Sequence, residues 1–289
     1  MKWVEYVKII GFCILAACVY GVAHDLVTAH VCVDYFLPPI HPIIVPTDSP
    51  LLLALIWGVI ATWWVGLFLG ILLAISCRIG NKPKLSVSQI VRPVLYLLIS
   101  LFIASMFFGL IGYAVGWMDL LENLPDNPEP GLRHKQSAFL FDVAAHIAAY
   151  LLGAIGGVIV TAYSIWCRFV ASPRRVVLRW VEFFNKANAS DLAELYHDNA
   201  VNHQIANEPV EGKENIRDMF EREFAAAEMV CIIENLFEDG EWAILEWKDP
   251  LGLRGCGFFH VTDRKIKFQR GYWDKLSFLK QHGLPISAE

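Results

Sequence analysis

The chain has 289 residues, of which 56% are hydrophobic and only 18% are charged, and its formal net charge is −5. This composition is too apolar for an ordinary soluble protein and indicates segments that cross a membrane. Acidic and basic residues balance up to residue 172, so the net negative charge belongs to the part that follows. Neither part is basic enough for a nucleic-acid-binding protein, and we expect no nucleic acid partner.

Four stretches are long and apolar enough for membrane helices, which need roughly 20 mainly apolar residues. They are residues 3–22, 51–77, 93–117 and 138–165. They predict a four-helix transmembrane domain over residues 1–168. The first stretch also fits a secretory signal peptide cleaved before His24, because Lys2 precedes its apolar run and Gly21-Val22-Ala23 follows it. Cleavage there would leave three spans.

Basic residues predict the orientation, since they favour the cytoplasmic side of a membrane. They concentrate in the second connection and after the fourth span, as Arg78, Lys82, Lys84, Arg92, Arg168, Arg174, Arg175 and Arg179. We therefore expect a multi-pass protein of the bacterial inner membrane with both termini in the cytoplasm. The stretch from residue 21 to residue 42 would then be an outer connection.

A polar cluster is predicted at the outer ends of the first and fourth spans. Its members are His24, Asp25, His30, Asp142 and His146. Imidazole and carboxylate groups suit a transition metal, and ionisable groups within a span are costly enough to suggest a function. A proton relay, a lipid head-group site and simple pairing between helices remain open alternatives. Apart from this metal, no cofactor is expected.

The pattern changes after Pro173 to amphipathic helices followed by short strands. Helices are predicted over residues 174–188, 191–196 and 214–227. Strands are predicted over 229–237, 242–248, 253–261 and 266–273, separated by turn sequences such as Glu238-Asp239-Gly240. Helices followed by an antiparallel meander predict an α+β domain over residues 174–285.

The order of these elements carries a family resemblance. Two helices precede "LYHDNAVNHQIANEPVEGKENIRDMF", and the meander ends in "FQRGYWD". This arrangement resembles the nuclear transport factor 2-like superfamily, in particular its polyketide-cyclase-like and steroid-isomerase-like branch. The resemblance implies a cone formed by a curved antiparallel sheet around a pocket for apolar ring-shaped molecules. The four-span part resembles a bacterial integral membrane family of no assigned function.

The resemblance also implies site residues. Asp274 near the last strand would be the acid/base residue and His203 its partner, although an ion pair between Arg270 and Asp274 is an alternative. Steroid isomerases have a tyrosine in the first helix where Trp180 stands, which argues against their standard chemistry. The expected pocket residues are Trp180, Phe184, Trp247, Phe258, Arg270 and Tyr272.

Three functions follow from this reading. In the first, the cytoplasmic cone binds an apolar small molecule or a lipid-like ligand. In the second, the protein is a membrane-anchored isomerase, cyclase or hydratase that uses Asp274 and His203. In the third, it is a scaffold that forms a homodimer through the sheet of the C-terminal domain. Fold alone does not decide among them.

Overall fold

The computed structural model describes residues 2–121 and 131–286. The chain divides into two compact units. The first unit comprises Met1–Arg78 and Leu85–Ile165, and the second comprises Ile79–Lys84 and Trp166–Glu289.

Long apolar helices build the first unit. They are α1 (Lys2–Val31), α2 (Pro50–Ile60), α3 (Trp63–Arg78), α4 (Val87–Trp117) and α5 (Leu132–Val170), and a short 3-10 helix covers Val33–Phe36. Among the described residues, four helical stretches are long and apolar enough to cross a membrane: Trp3–Val31, Pro50–Arg78, Val87–Trp117 and Leu132–Asn185. The buried side chains of this unit include Ile9, Leu73, Ala74, Cys77, Ile90 and Val160.

Helix α1 is longer than the apolar run that predicted it. It continues through His24 and Asp25 to Val31, so part of the stretch expected to be a connection is helical. Between residues 22 and 31 the sequence contains neither proline nor glycine, and nothing interrupts the backbone hydrogen bonds there. His24 and Asp25 therefore lie on a helix that packs within the unit.

The second unit contains four helices and six strands among its described residues. The helices are α6 (Pro173–Asn185), α7 (Ala189–Ala193), α8 (Lys213–Ala226) and α9 (Lys275–Gln281). The strands are β1 (Tyr196–Gln204), β2 (Val210–Glu211), β3 (Ile232–Asp239), β4 (Trp242–Lys248), β5 (Arg254–Thr262) and β6 (Lys265–Trp273). They form one sheet in the order β2-β1-β6-β5-β4-β3.

The sheet is mixed, whereas an antiparallel sheet was predicted. Strands β3 to β6 form the expected antiparallel meander, but β1 pairs with β6 in parallel. The polar segment YHDNAVNHQ of β1 lacks the alternation of apolar residues that identifies a strand in a sequence. Strand β1 is stabilised by its position in the sheet, where Tyr196, Ala200 and Asn202 are buried.

A bulge in β6 decides which side chains face the helices. Ile266 is buried, and strict alternation from it would also turn Phe268, Arg270 and Tyr272 inward. The pairing of β5 with β6 shifts register between His260 and Val261, and beyond the shift the buried residues are Gln269 and Gly271. One extra residue in a strand exchanges its two faces.

Candidate functional site

A cavity of about 280 Å³ lies in the second unit. It is partly open and is bordered by α6, α8, α9, the inner face of the sheet and the segments that connect them. Aromatic side chains form much of its wall: Trp180, Phe184, Phe220, Trp247, Phe259, Trp273 and Phe278. Trp180 stacks on Phe184 with ring centroids 4.8 Å apart and meets Phe259 edge-on at 5.3 Å. The cavity is therefore mainly apolar.

The structure places only three of the six expected pocket residues in this wall. Trp180, Phe184 and Trp247 line the cavity, whereas Phe258, Arg270 and Tyr272 are not among the described residues that do. In β5, Gly257 and Phe259 are the buried neighbours of Phe258, and in β6 the bulge gives the inner face to Gln269 and Gly271. This placement revises the prediction, because the three side chains lie on the opposite face of the sheet.

The predicted catalytic pair is also absent from the cavity wall. Asp274 is exposed and caps the N-terminus of α9, where its Oδ1 accepts a hydrogen bond of 2.6 Å from the backbone N–H of Ser277. Hydrogen bonds with Ser277 lower the pKa of Asp274, which suits a cap more than a general base. His203 is half-buried and stands opposite Arg270 in the pairing of β1 with β6.

A chain of hydrogen bonds connects buried polar groups at the cavity. The indole N–H of Trp180 donates to the hydroxyl of Tyr196 at 2.8 Å, and that hydroxyl donates to Oε1 of Gln269. Burial raises the pKa of Tyr196, so the phenol stays protonated and remains a donor. The buried indole and phenol groups thus have their polar atoms satisfied within the protein.

A second part of this chain lies on the neighbouring strands β1 and β6. The amide nitrogen of Gln204 donates to Oδ1 of Asn202 at 2.7 Å, and the indole N–H of Trp273 donates to Oε1 of Gln204 at 3.0 Å. Gln204, Gln269 and Trp273 all line the cavity. These amides are held in place by their partners, so they present fixed polar groups to anything in the cavity.

Glu223 is an ionisable group of the cavity that was not predicted from the sequence. It lines the cavity from α8, and burial raises its pKa to about 7, with a smaller opposing effect from Arg222. The sequence does contain a signal that Glu223 faces inward. It follows Ile216, Met219 and Phe220 at helical intervals on the buried face of α8. A carboxyl group that titrates near neutrality inside a cavity can accept and return a proton.

Asp249 and His282 form a second polar pair in the cavity wall. Their atoms Oδ2 and Nε2 lie 3.6 Å apart, and both side chains are largely buried. The other oxygen of Asp249 accepts a hydrogen bond of 2.8 Å from the backbone N–H of Leu253. Neither Oδ2 nor Nε2 has a hydrogen-bond partner in the described part of the chain, and both atoms are buried against each other.

The first unit contains a separate polar cluster, which we call the His–Asp cluster: His24, Asp25 and His146. One ligand atom from each residue lies within 4.8 Å of the others. Of the other residues predicted for a metal site, His30 is exposed and its Nδ1 contacts the carbonyl of Leu26 at 2.7 Å. Asp142 is fully buried one turn before His146, but it is not one of the three grouped residues.

Comparisons with known proteins concern the second unit. Residues 177–269 match the family model for the SnoaL-like domain. No curated protein matches the chain.

Three solved structures illustrate the likeness. An NTF2-like protein of unknown function from Cytophaga hutchinsonii is 18% identical, with a TM-score of 0.32. The match covers 37% of this chain and 93% of that protein. A hypothetical protein from Catenulispora acidiphila with a ketosteroid isomerase-like fold, in complex with trimethylamine, is 18% identical, with a TM-score of 0.36, and the match covers 38% of this chain and 93% of that protein. An LEH-like epoxide hydrolase of M. tuberculosis is 20% identical, with a TM-score of 0.34, and the match covers 37% of this chain and 86% of that protein.

The family match and the six-stranded mixed sheet agree with each other. Residues 177–269 are a SnoaL-like domain with the nuclear transport factor 2-like fold, in a chain whose described residues include four helices long and apolar enough to cross a membrane.

Proposed function

We propose that the SnoaL-like domain binds a small apolar or lipid-like molecule in its cavity. The observation that supports this is a cavity of about 280 Å³ whose wall combines Trp180, Phe184, Phe220, Trp247 and Phe259 with a few polar groups. Binding sites for small molecules typically have this composition, with volumes from roughly 300 to 1,000 Å³. A volume at the lower end of this range favours a ligand of one or two rings.

The polar groups favour a ligand that carries at least one polar atom. Gln204 and Gln269 are tied into the hydrogen-bond chain. Glu223 lines the cavity, and the buried Asp249–His282 pair would need a small side-chain rotation to reach a ligand. Leaving such groups unpaired in an occupied cavity costs roughly 1–3 kcal/mol each. A ring compound with a hydroxyl or carbonyl group would satisfy them.

Binding of β-naphthol to the purified full chain, measured by isothermal titration calorimetry, tests this proposal. We expect Trp247→Ala to weaken binding about tenfold or more, because the variant removes an aromatic wall of the cavity. Tyr272→Ala is the matched control, since it removes an aromatic residue that is 44% exposed on the other sheet face. Absence of binding to the unmutated protein, or equal weakening by both variants, would contradict the proposal.

A second candidate function is acid–base catalysis, favoured by the raised pKa of Glu223 in the cavity. The carboxylate would take a proton from the carbon beside a ring carbonyl. The electron pair of the broken C–H bond would form the enolate, and the carboxyl group would return a proton to carbon. This step is common to isomerases and some cyclases, and here Glu223 replaces the predicted pair Asp274 and His203.

Hydrogen–deuterium exchange into β-tetralone in heavy water, followed by NMR, tests the catalytic candidate. We expect the protein-dependent rate to rise as the pH passes about 7 and then to level off, because the carboxylate of Glu223 is the active form. Glu223→Gln should lower that rate roughly a hundredfold or more. Asp274→Asn is the control, because its side chain caps a helix and lies outside the cavity wall. An unchanged rate in Glu223→Gln excludes this role.

We further propose the cellular setting. In this proposal the chain is a bacterial inner-membrane protein with a transmembrane domain over 1–168 and a ligand-binding domain over 174–285. The clustering of basic residues supports an orientation with both termini in the cytoplasm. Association of two copies through the sheet is supported by exposed apolar residues of its edge strand β3, Ile232 and Phe237.

A further inference from the structure

The His–Asp cluster of the first unit has the composition and spacing of a metal site. We propose that His24, Asp25 and His146 bind one divalent transition-metal ion, with Zn²⁺ as the representative. Two of these residues lie near the end of α1 and the third lies on α5, so the site joins helices that are far apart in the sequence. This inference is independent of the cavity in the SnoaL-like domain.

The distances match a coordination sphere. Oδ1 of Asp25 lies 3.1 Å from Nδ1 of His24 and 3.5 Å from Nε2 of His146. Nitrogen and oxygen ligands bind Zn²⁺ at about 2.0–2.2 Å in tetrahedral geometry, which separates neighbouring ligand atoms by roughly 3.3 Å. The three ligand atoms lie within 4.8 Å of one another, so the two imidazoles must rotate toward each other for one metal ion to reach all three residues.

The hydrogen bond of His146 orients its ring for ligation. Its Nδ1 lies 2.8 Å from the backbone carbonyl oxygen of Asp142, which can only accept, so Nδ1 carries the proton. In the neutral ring, Nε2 then presents its lone pair to Asp25. Two acceptor atoms that face each other at 3.5 Å repel unless a proton or a metal ion lies between them. Metal-binding histidines are commonly oriented by such a bond from the other ring nitrogen.

Charge balance also calls for a cation. Asp142 is 0% exposed, and neither of its carboxylate oxygens has a hydrogen-bond partner within the described ranges. The ion-pair partners of Asp25 in those ranges are His24 and His146, with no lysine or arginine. A buried carboxylate without compensation is strongly unfavourable. A divalent ion at the cluster would offset the charge of Asp25, and a proton does the same for Asp142.

Aromatic side chains shield the cluster. The ring of Tyr35 lies 4.5 Å from that of His146, and the ring of Phe36 lies 5.7 Å from it, measured between centroids. Such a shell limits water access and strengthens the attraction between the ion and its ligands. Two imidazoles and one carboxylate select zinc or iron over calcium or magnesium, and they leave a coordination position open.

Zn²⁺ titration of the tag-free full chain in lipid nanodiscs, after removal of metal by a chelator, tests the site. We expect one Zn²⁺ per chain, and we expect His146→Gln and Asp25→Asn each to weaken binding roughly a hundredfold. Zn²⁺ should also raise the thermal unfolding midpoint of the unmutated protein and leave that of each variant almost unchanged. The thermal unfolding experiment separates lost metal binding from misfolding. A variant that folds correctly still unfolds cooperatively in the absence of metal.

His30→Gln is the matched control, since His30 lies on the same helix one to two turns from His24 and is exposed. It should bind Zn²⁺ as the unmutated protein does. Stoichiometric binding that survives both cluster variants would overturn the proposal, and so would equal loss in His30→Gln. Absence of Zn²⁺ binding to the unmutated chain would also overturn it and would mean that protons alone balance the buried carboxylates.

Discussion

Replacing Trp180 with alanine should destabilise the SnoaL-like domain by about 3–5 kcal/mol, the usual cost of removing a large aromatic side chain from a core. Trp180 is 6% exposed and packs against Phe184, Phe220 and Phe259. Its loss would leave a void and would also remove the hydrogen bond that its indole donates to Tyr196. Both effects lower the free energy of unfolding, so relaxation of the core into the void would not recover the lost hydrogen bond.

Urea unfolding of the full chain in nanodiscs, followed by near-ultraviolet circular dichroism, measures this loss. Trp242→Ala is the control within the same domain, because Trp242 is 40% exposed and rests on His260 at the surface of the sheet. We expect the control to change stability by less than about 1 kcal/mol. Similar losses in the two variants would show that Trp180 does not occupy the core position described.

Replacing Gly58 with alanine should destabilise the helical unit by roughly 1–3 kcal/mol. A Cβ atom at Gly58 would lie 2.6 Å from both the N and the Cα of Val22, well inside van der Waals contact. These are backbone atoms of α1, and they cannot move aside by a side-chain rotation. Helices α1 and α2 would have to separate, and the packing that holds their backbones together would be lost.

Thermal unfolding of the detergent-solubilised protein, monitored by size-exclusion chromatography after heating, measures the effect. Gly11→Ala on α1 is the control, because no atom outside its own helix neighbourhood lies within 4 Å of its Cβ position. Alanine favours a helix over glycine by up to about 1 kcal/mol, so the control should be neutral or slightly more stable. A Gly58→Ala protein as stable as Gly11→Ala would contradict the close approach of α1 to α2.

The sequence predicted the helices and most strands because their patterns repeat locally. Long apolar runs identified the four membrane-length helices, and β4 begins and ends at the predicted residues, Trp242 and Lys248. Strand β1 and helix α9 were not predicted. The sequence of β1 is polar and that of α9 is short, and they form these elements because β1 pairs with β6 and because Asp274 caps α9.

The cavity residues were harder to predict than the elements that carry them. Both faces of β5 and β6 contain aromatic residues, so hydrophobicity does not distinguish the inner face from the outer one. The bulge near the start of β6 then exchanges the faces of the rest of the strand, and an alternating pattern in the sequence does not reveal it. For this reason Arg270 and Tyr272 were expected in the cavity, and Gln269 and Trp273 were not.

Local sequence alone determined that the chain has four apolar helices followed by an α+β domain, because chain length, apolar runs and turn residues act over a few neighbouring positions. Only the tertiary structure decided which polar groups meet. Glu223, Asp249 and His282 come from separate elements and share one cavity, while His24 and Asp25 meet His146 more than a hundred residues away. Such meetings depend on sheet register and helix packing, which arise from contacts between distant segments.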